Sequence, residues 1–492
     1  MRVETFLLES ARRFPGKTAL VAGAARRSYA DLARGAAAFA GELRRRGLER
    51  GERVVVFLHN SPETVIAVFG TLLAGGVFSV VNPGTKADKL AYILNHCSAR
   101  ILVTEPRLAP VAREASTRAR ADVLSAPFSF PDAPLGSPAG IDLDVAMIVY
   151  TSGSTGFPKG VTMTHANIVA AATSITTYLQ SRTDDVVLSV LPLAFDYGLY
   201  QALMCAKVGA TLVLEKSTFP AVLLEKLRAE RVTGFPLVPT LAAVLLQMRQ
   251  LQPGMFPHLR YLTNTAAALP RAHIERLREL FPSARLYSMY GLTECKRCTY
   301  LPPEELERRP ESVGIAIPGT EAYVVDEEGR RVAPGVTGEL VIRGAHVMKG
   351  YWNDDLATAR ALRPGPHPWE RVLHTGDLFR TDEEGWLYFV ARRDDIIKTR
   401  GEKVSPKEVE NVLYELPQVR EAAVIGVPDP ILGCAVKAIV AADPGLTERD
   451  ILRHCAARLE DFMVPTRVEF RPQLPKSENG KIARKELAAE AA

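Results

Sequence analysis

Residues 150 to 160 read Tyr-Thr-Ser-Gly-Ser-Thr-Gly-Phe-Pro-Lys-Gly. Thr151, Ser152, Gly153, Ser154, Thr155 and Gly156 interleave hydroxyls with glycines, and Lys159 follows. Glycine lets a backbone approach a ligand closely. Turned backbone N–H groups, hydroxyl donors and a lysine together cradle phosphate oxygens. The stretch is not a Walker loop, since Gly-Lys is not followed by Ser or Thr. A second constellation is Tyr290-Gly291-Leu292-Thr293-Glu294. It offers a ring for a purine, a hydroxyl for an α-phosphate and a carboxylate for Mg²⁺, which takes hard oxygens and keeps several waters. A third is His374-Thr375-Gly376-Asp377, where a carboxylate beside a glycine turn can accept from both ribose hydroxyls. Near the end of the chain stands Pro475-Lys476-Ser477-Glu478-Asn479-Gly480-Lys481, whose last lysine, taken alone, is a solvated surface charge.

In order and spacing these strings resemble the motifs of the AMP-forming adenylating superfamily: acyl-CoA synthetases, carrier-protein ligases, peptide-synthetase adenylation domains and luciferases. The resemblance covers nearly the whole chain. It implies an enzyme that uses ATP and Mg²⁺ to turn a carboxylate into an acyl-adenylate, then passes the acyl group to a thiol. By motif match, Tyr290 stacks on adenine, Thr293 contacts the α-phosphate and Glu294 binds Mg²⁺. Asp377 and Arg392 hold the ribose, and Ala267, within Thr265–Pro270, lies in the adenine-backbone segment. Lys481 stabilises the charge developing in adenylation, with Lys159 assisting from the phosphate loop. Asp394 falls at the hinge of a mobile C-terminal lobe, and Gly401 gives a pantetheine arm room in the second half-reaction.

The substrate pocket is read from Leu193-Ala194-Phe195-Asp196-Tyr197-Gly198 and from Cys295-Lys296-Arg297. Amino-acid-activating members place an aspartate at the position of Asp196 to pair with the substrate's ammonium. A buried carboxylate needs a cationic partner, but an Asp here also suits a helix cap. Lys296 and Arg297 fit a second substrate carboxylate, a carrier protein's acidic surface, or a solvated helix face. With Phe195 as a wall, Asp196, Lys296 and Arg297 would suit an acid bearing both an amine and a carboxylate, such as a β-amino dicarboxylic acid. The expected function is therefore a ligase that loads a small carboxylic acid, an amino acid in the leading reading, onto a carrier protein supplied in trans. The alternatives are an acyl-CoA synthetase for a fatty or aryl acid and a non-catalytic nucleotide-binding protein.

These residues must be positioned by a chain of 492 residues, too long for a single ordinary core. Apolar runs of strand length at Arg53–Leu58, Val77–Val81 and Ile101–Val103 alternate with helical spacing at 30–46, 63–74 and 87–95, which predicts parallel sheets under helices. The Pro/Gly/Ser-rich stretch 126–140 reads as a surface connection. Short strands with turns run from about 311 to 393, and mixed strand and helix follow. The fold class is α/β: a large N-terminal domain, 1–393, made of two helix-covered sheets (1–160 and 161–310) and a small β-barrel-like subdomain (311–393). A small mobile α+β domain, 394–492, completes it. Apolar and charged fractions of 47% and 24% are globular averages. A net charge of +5, spread along the chain, indicates no nucleic-acid partner. No run reaches the roughly 18 apolar residues of a membrane span. Six cysteines suit a reducing cytoplasm, and the lone Cys295-x-x-Cys298 reads as free thiols.

Overall fold

The computed structural model describes residues 1–134, 140–151, 158–265, 269–399, 402–429, 433–477 and 481–491. Apolar runs without alternation became parallel strands buried on both faces, as such sheets require. Val54, Val55 and Val56, for example, are all fully buried. They belong to a seven-stranded sheet in which Arg53–Val56 lies between Val77–Val80 and Ala99–Thr104. At its other side Val145–Thr151 pairs antiparallel with Lys159–Thr164, setting Thr151 opposite Lys159. The hairpin therefore presents both ends of the glycine-rich loop at one sheet end. Thr164 then starts the helix His165–Tyr178 through a capping box with Asn167, which anchors the loop's downstream arm.

Among the described residues the second sheet has nine strands and carries Tyr261–Asn264 parallel to Arg285–Tyr290. The expected 160/161 boundary is crossed in space. Thr18–Ala22 and Ala25–Ser28, from the first segment, join this second sheet beside Thr211–Leu214. Gly350–Tyr351, from the expected third segment, pairs with Lys159–Thr164 in the first. Periodicity reports strand type, not which strand a ladder will accept. The connection expected at 126–140 is likewise anchored where it is described: Phe128 and Phe130 stack 5.6 Å apart and pack on Phe39.

In its described pairings the barrel-like subdomain is an open five-stranded antiparallel sheet. Its long strand, Arg371–Thr381, is shared by Gly338–Gly344, Leu362–Pro364 and Leu387–Arg392. The turn Arg393–Asp395 follows. It leads to the small C-terminal domain, where the hairpin Val419–Asp429 and Gly433–Ala442 takes Arg467–Phe470 as a parallel third strand. The helices Pro406–Leu413, Glu448–Ala456 and Arg484–Ala491 belong to the same domain. Among the described residues, no helix is long and apolar enough to cross a membrane.

Candidate active site

Strand register brings the ribose candidates together. Asp377 and Arg392 are direct partners across the ladder of Arg371–Thr381 and Leu387–Arg392. Arg392 Nε lies 3.4 Å from Asp377 Oδ1, and Tyr290 Oη donates to Asp377 Oδ2 at 2.5 Å. Burial raises the Asp377 carboxyl, while Arg392 and then the Tyr290 hydroxyl work to lower it. The Tyr290 ring is fixed edge-on to Phe379, with centroids 4.9 Å apart. The purine candidate and the ribose candidate are thus one hydrogen-bonded unit.

The loop after Arg285–Tyr290 folds back on itself. Cys298 N–H donates to Tyr290 O at 2.9 Å and Cys295 N–H to Leu292 O at 3.0 Å. A Cβ on Gly291 would come within 1.8 Å of Lys296 O, so the reversal requires glycine at this position. Lys296 itself is left-handed, with φ 66°. The reversal sets Glu294 against Tyr351 and turns Lys296 and Arg297 inward. Glu294 Oε1 accepts from Tyr351 Oη at 2.8 Å. Lys159 Nζ lies over the same tyrosine ring, 5.2 Å from its centroid. Tyr351 thus ties the sheet's edge strand to both the metal candidate and the phosphate-loop lysine.

Among the described residues no group of three His, Cys, Asp or Glu side chains could hold a metal ion. Glu294 offers a single carboxylate with one oxygen already engaged. That fits Mg²⁺ carried mainly by phosphate oxygens and water, which needs little more from a protein.

A cavity of about 40 Å³ opens beside this loop. Phe195, Asp196, Tyr197, Tyr200, Thr265, Thr293, Lys296, Arg297 and Lys481 line it. Lys481 comes from the C-terminal domain, its backbone held by Ser477 N–H donating to Lys481 O at 2.7 Å. Loss of water lowers the Lys481 ammonium and the nearby Arg392 adds to this, against the pull of Asp196, Asp377 and Glu294. Lys481 remains exposed to solvent at the domain surface while facing the charged residues of the large domain.

Asp196 occupies the first turn of the helix Asp196–Val208, whose N-cap is Phe195. Its Oδ1 accepts from Tyr197 N–H, and its Oδ2 lies 3.9 Å from Lys296 Nζ. The cationic partner expected for this carboxylate thus comes from within the chain, at a separation too long for a hydrogen bond. Lys296 and Arg297 do not form a solvated face, each being 4% exposed. They lie over aromatic rings, Lys296 above Tyr200 at 5.6 Å and Arg297 above Tyr197 at 4.6 Å.

Tyr197, Tyr200 and Tyr351 were not singled out by sequence reasoning. The spacing of Asp196, Tyr197 and Tyr200 on one helix could have suggested the first two, since residues three and four apart share a face. Nothing local marks Tyr351. The Cys295 and Cys298 thiols are free and buried, 3.1 Å apart at sulfur.

Thr151 and Lys159 face each other across the ladder at the two ends of the glycine-rich loop. Ser152, Gly153, Ser154, Thr155, Gly156, Ala267 and Gly401 lie outside the described residues, as does the side chain of Asp394. The backbone of Asp394 is in the turn between the two domains.

Comparison with known proteins agrees with this layout. A family model described as AMP-binding enzyme matches residues 7–352, and one described as AMP-binding enzyme C-terminal domain matches 408–481. A long-chain-fatty-acid–CoA ligase of Bacillus subtilis is 32% identical, covering 99% of this chain and 94% of its own. A feruloyl-CoA synthase of Amycolatopsis is 32% identical over 97% of this chain and 96% of its own. The crystal structure of ATP-bound MatB from Rhodopseudomonas palustris superposes with a TM-score of 0.89 at 28% identity, covering 100% of this chain and 99% of that one.

Proposed function

Because the chain belongs to the AMP-binding enzyme family, whose members here are ATP-dependent ligases forming acyl-adenylates, we propose that it activates a small polar carboxylic acid and passes the acyl group to a phosphopantetheine thiol. One observation carries the size and polarity of the acid: the cavity beside Thr293 and Lys481 is about 40 Å³ and is walled by Asp196, Lys296 and Arg297. At roughly 10–15 Å³ of such space per water, it holds the equivalent of about three waters. A long acyl chain needs far more room, and an unpaired charge in its wall would cost several kcal/mol.

In this reading the acid's carboxylate attacks the α-phosphorus of ATP and pyrophosphate leaves. Lys481 holds positive charge where the pentavalent centre forms. Thr293 donates to an α-phosphate oxygen, Tyr290 and the Asp377–Arg392 pair orient the nucleoside, and Lys159 attracts the outgoing phosphates. Glu294 would hold Mg²⁺, which when bound neutralises the phosphate oxygens. In the second half-reaction the thiol attacks the acyl carbonyl and AMP leaves. Exchange of Lys481 for the face around Gly401, by rotation near Asp394, would let one site serve both steps while excluding water.

The thiol named for the relatives is coenzyme A; a carrier protein in trans bears the same arm. A second reading, an amino acid as substrate, rests on Asp196, which lines the cavity and whose Oδ2 lies 3.9 Å from Lys296 Nζ, beyond hydrogen-bond reach. ATP–pyrophosphate exchange across small diacids, amino acids, aryl acids and fatty acids tests the acid. Mass analysis of the thioester with coenzyme A and with holo-carrier protein tests the acceptor. Exchange stimulated by long-chain fatty acids alone would refute the small-acid reading.

A further inference from the structure

Inside the cavity wall are polar groups that the adenylation roles leave without partners. Lys296 Nζ, Arg297 Nε and Tyr200 Oη are all buried, and none makes a hydrogen bond among the described residues. Tyr197 Oη, by contrast, is engaged by Thr263, at 2.6 Å from its hydroxyl and 2.9 Å from its carbonyl. A buried donor is usually satisfied, and a buried cation without a counter-charge is costlier still. The π-faces of Tyr197 and Tyr200 offset part of that cost but accept no conventional N–H hydrogen bond.

Charge points the same way. Among the described residues the charged groups lining the cavity are Asp196, Lys296, Arg297 and Lys481, three cations against one carboxylate. Lys481 answers the reacting carboxylate and the phosphate, so one positive charge is left unmatched. A macromolecular surface cannot supply the missing anion, because Lys296 and Arg297 are each only 4% exposed. The occupant must be part of the small acid itself.

We propose that Lys296, Arg297 and Tyr200 form a subsite for a second carboxylate on the substrate, making this chain a ligase of short dicarboxylic acids; the inference rests on the small-acid reading above. One carboxylate meets Lys481 and ATP, and the other accepts from Lys296 Nζ, Arg297 Nε and Tyr200 Oη. Space for about three waters takes the second carboxylate and little more, so the chain joining the two acid groups must be short.

The test is ATP–pyrophosphate exchange by the full chain with such diacids, their monomethyl esters and the monoacids of equal length. A site built around buried hydrogen-bond donors rejects analogues that leave them unpaired, so the diacid should lead in kcat/KM by about 10²-fold or more. Arg297→Leu should erase that lead, cutting diacid kcat/KM by about 10²-fold more than that of the monoacids. Arg297→Lys should restore part of it.

A purely structural role for the two cations predicts a different outcome: every acid falls together in the variants, and the wild type shows no preference. Equal use of diacid and monoacid by the wild type, which needs no variant to fold, overturns the subsite while leaving the small-acid reading intact. Exchange with no small acid at all overturns that reading itself. An amino-diacid used better than the plain diacid would support the subsite and Asp196 together. Preference for the plain diacid supports the subsite and removes the amine.

Discussion

Replacing Asp377 with Asn separates the cost of this carboxylate in the empty protein from its use with nucleotide. In the assigned role, Asp377 accepts from both ribose hydroxyls. Hydrogen bonds to a charged group are worth about 1.5–3 kcal/mol each and neutral ones about 0.5–1.5. Asn keeps one weaker acceptor and replaces the other by an NH₂ that cannot accept. The expected loss is about 2–4 kcal/mol, or roughly 30- to 700-fold in ATP affinity. Stability should move the other way. Burial holds the Asp377 carboxyl above its ordinary value in the folded chain. Its contribution to folding is therefore full below the ordinary carboxylate value near 3.9 and is lost as pH rises through the raised one. The unfolding midpoint of the variant should rise relative to wild type as pH climbs from about 4 to neutrality, while Tyr290 still donates to the Asn oxygen. Calorimetry with ATP and with a 2′,3′-dideoxy analogue reads the first effect and thermal unfolding against pH reads the second. Wild type should bind ATP more tightly than the analogue, and in the variant that gap should shrink to about the worth of one neutral hydrogen bond. An Asn variant that retains the wild-type discrimination would sink the ribose assignment, and a stability difference independent of pH would sink the burial argument.

Other perturbations address the remaining groups. Lys481→Ala should reduce pyrophosphate exchange by about 10²–10³-fold while sparing thioester formation from pre-made adenylate; equal losses would refute its role. Because burial and Arg392 lower this ammonium, the alkaline limb of exchange should fall below the ordinary lysine value near 10.4, and the Ala variant should lack it. Glu294→Gln should raise the half-saturating Mg²⁺ concentration about 10- to 100-fold, the worth of one charged contact, with metal-free ATP binding unchanged. Away from the site, Arg260 forks onto Asp185, with Nη2 2.8 Å from Oδ1, and the Asp185 side chain is only 1% exposed. Arg260→Ala leaves that carboxylate uncompensated and should destabilise the large domain by about 3–5 kcal/mol, read as a lowered denaturation midpoint. An unchanged midpoint would mean that Thr233 and the Arg182 N–H, which also donate to Asp185, suffice.

Local chemistry made much of this legible in the chain. The run Arg53–Leu58 could hardly be anything but a buried strand. The nucleotide motifs were equally plain, because phosphate, ribose and magnesium each demand residue types that few other tasks need together. Partner choice was not legible. Nothing in Thr18–Ala22 says that it will sit beside Thr211–Leu214, since a ladder's backbone groups are the same in either sheet. Tyr351 was missed for the same reason: only pairing of Gly350–Tyr351 with Lys159–Thr164 carries its hydroxyl to Glu294.

The substrate pocket shows where residue type stops deciding. Lys296 and Arg297 stand in a sequence that reads equally well as a wet helix face, and charged side chains are seldom buried. What turns them inward is the backbone reversal between Gly291 and Cys298, closed by Cys298 N–H on Tyr290 O and allowed only because Gly291 has no Cβ to meet Lys296 O. Tyr290, which opens the loop, is also the residue hydrogen-bonded to Asp377. The residues proposed for the nucleotide and those proposed for the acid therefore hang on one short reversal. A substitution at Gly291 should disturb both at once, since the loop cannot open for one cation without shifting Tyr290 and the Asp377 carboxylate bonded to it.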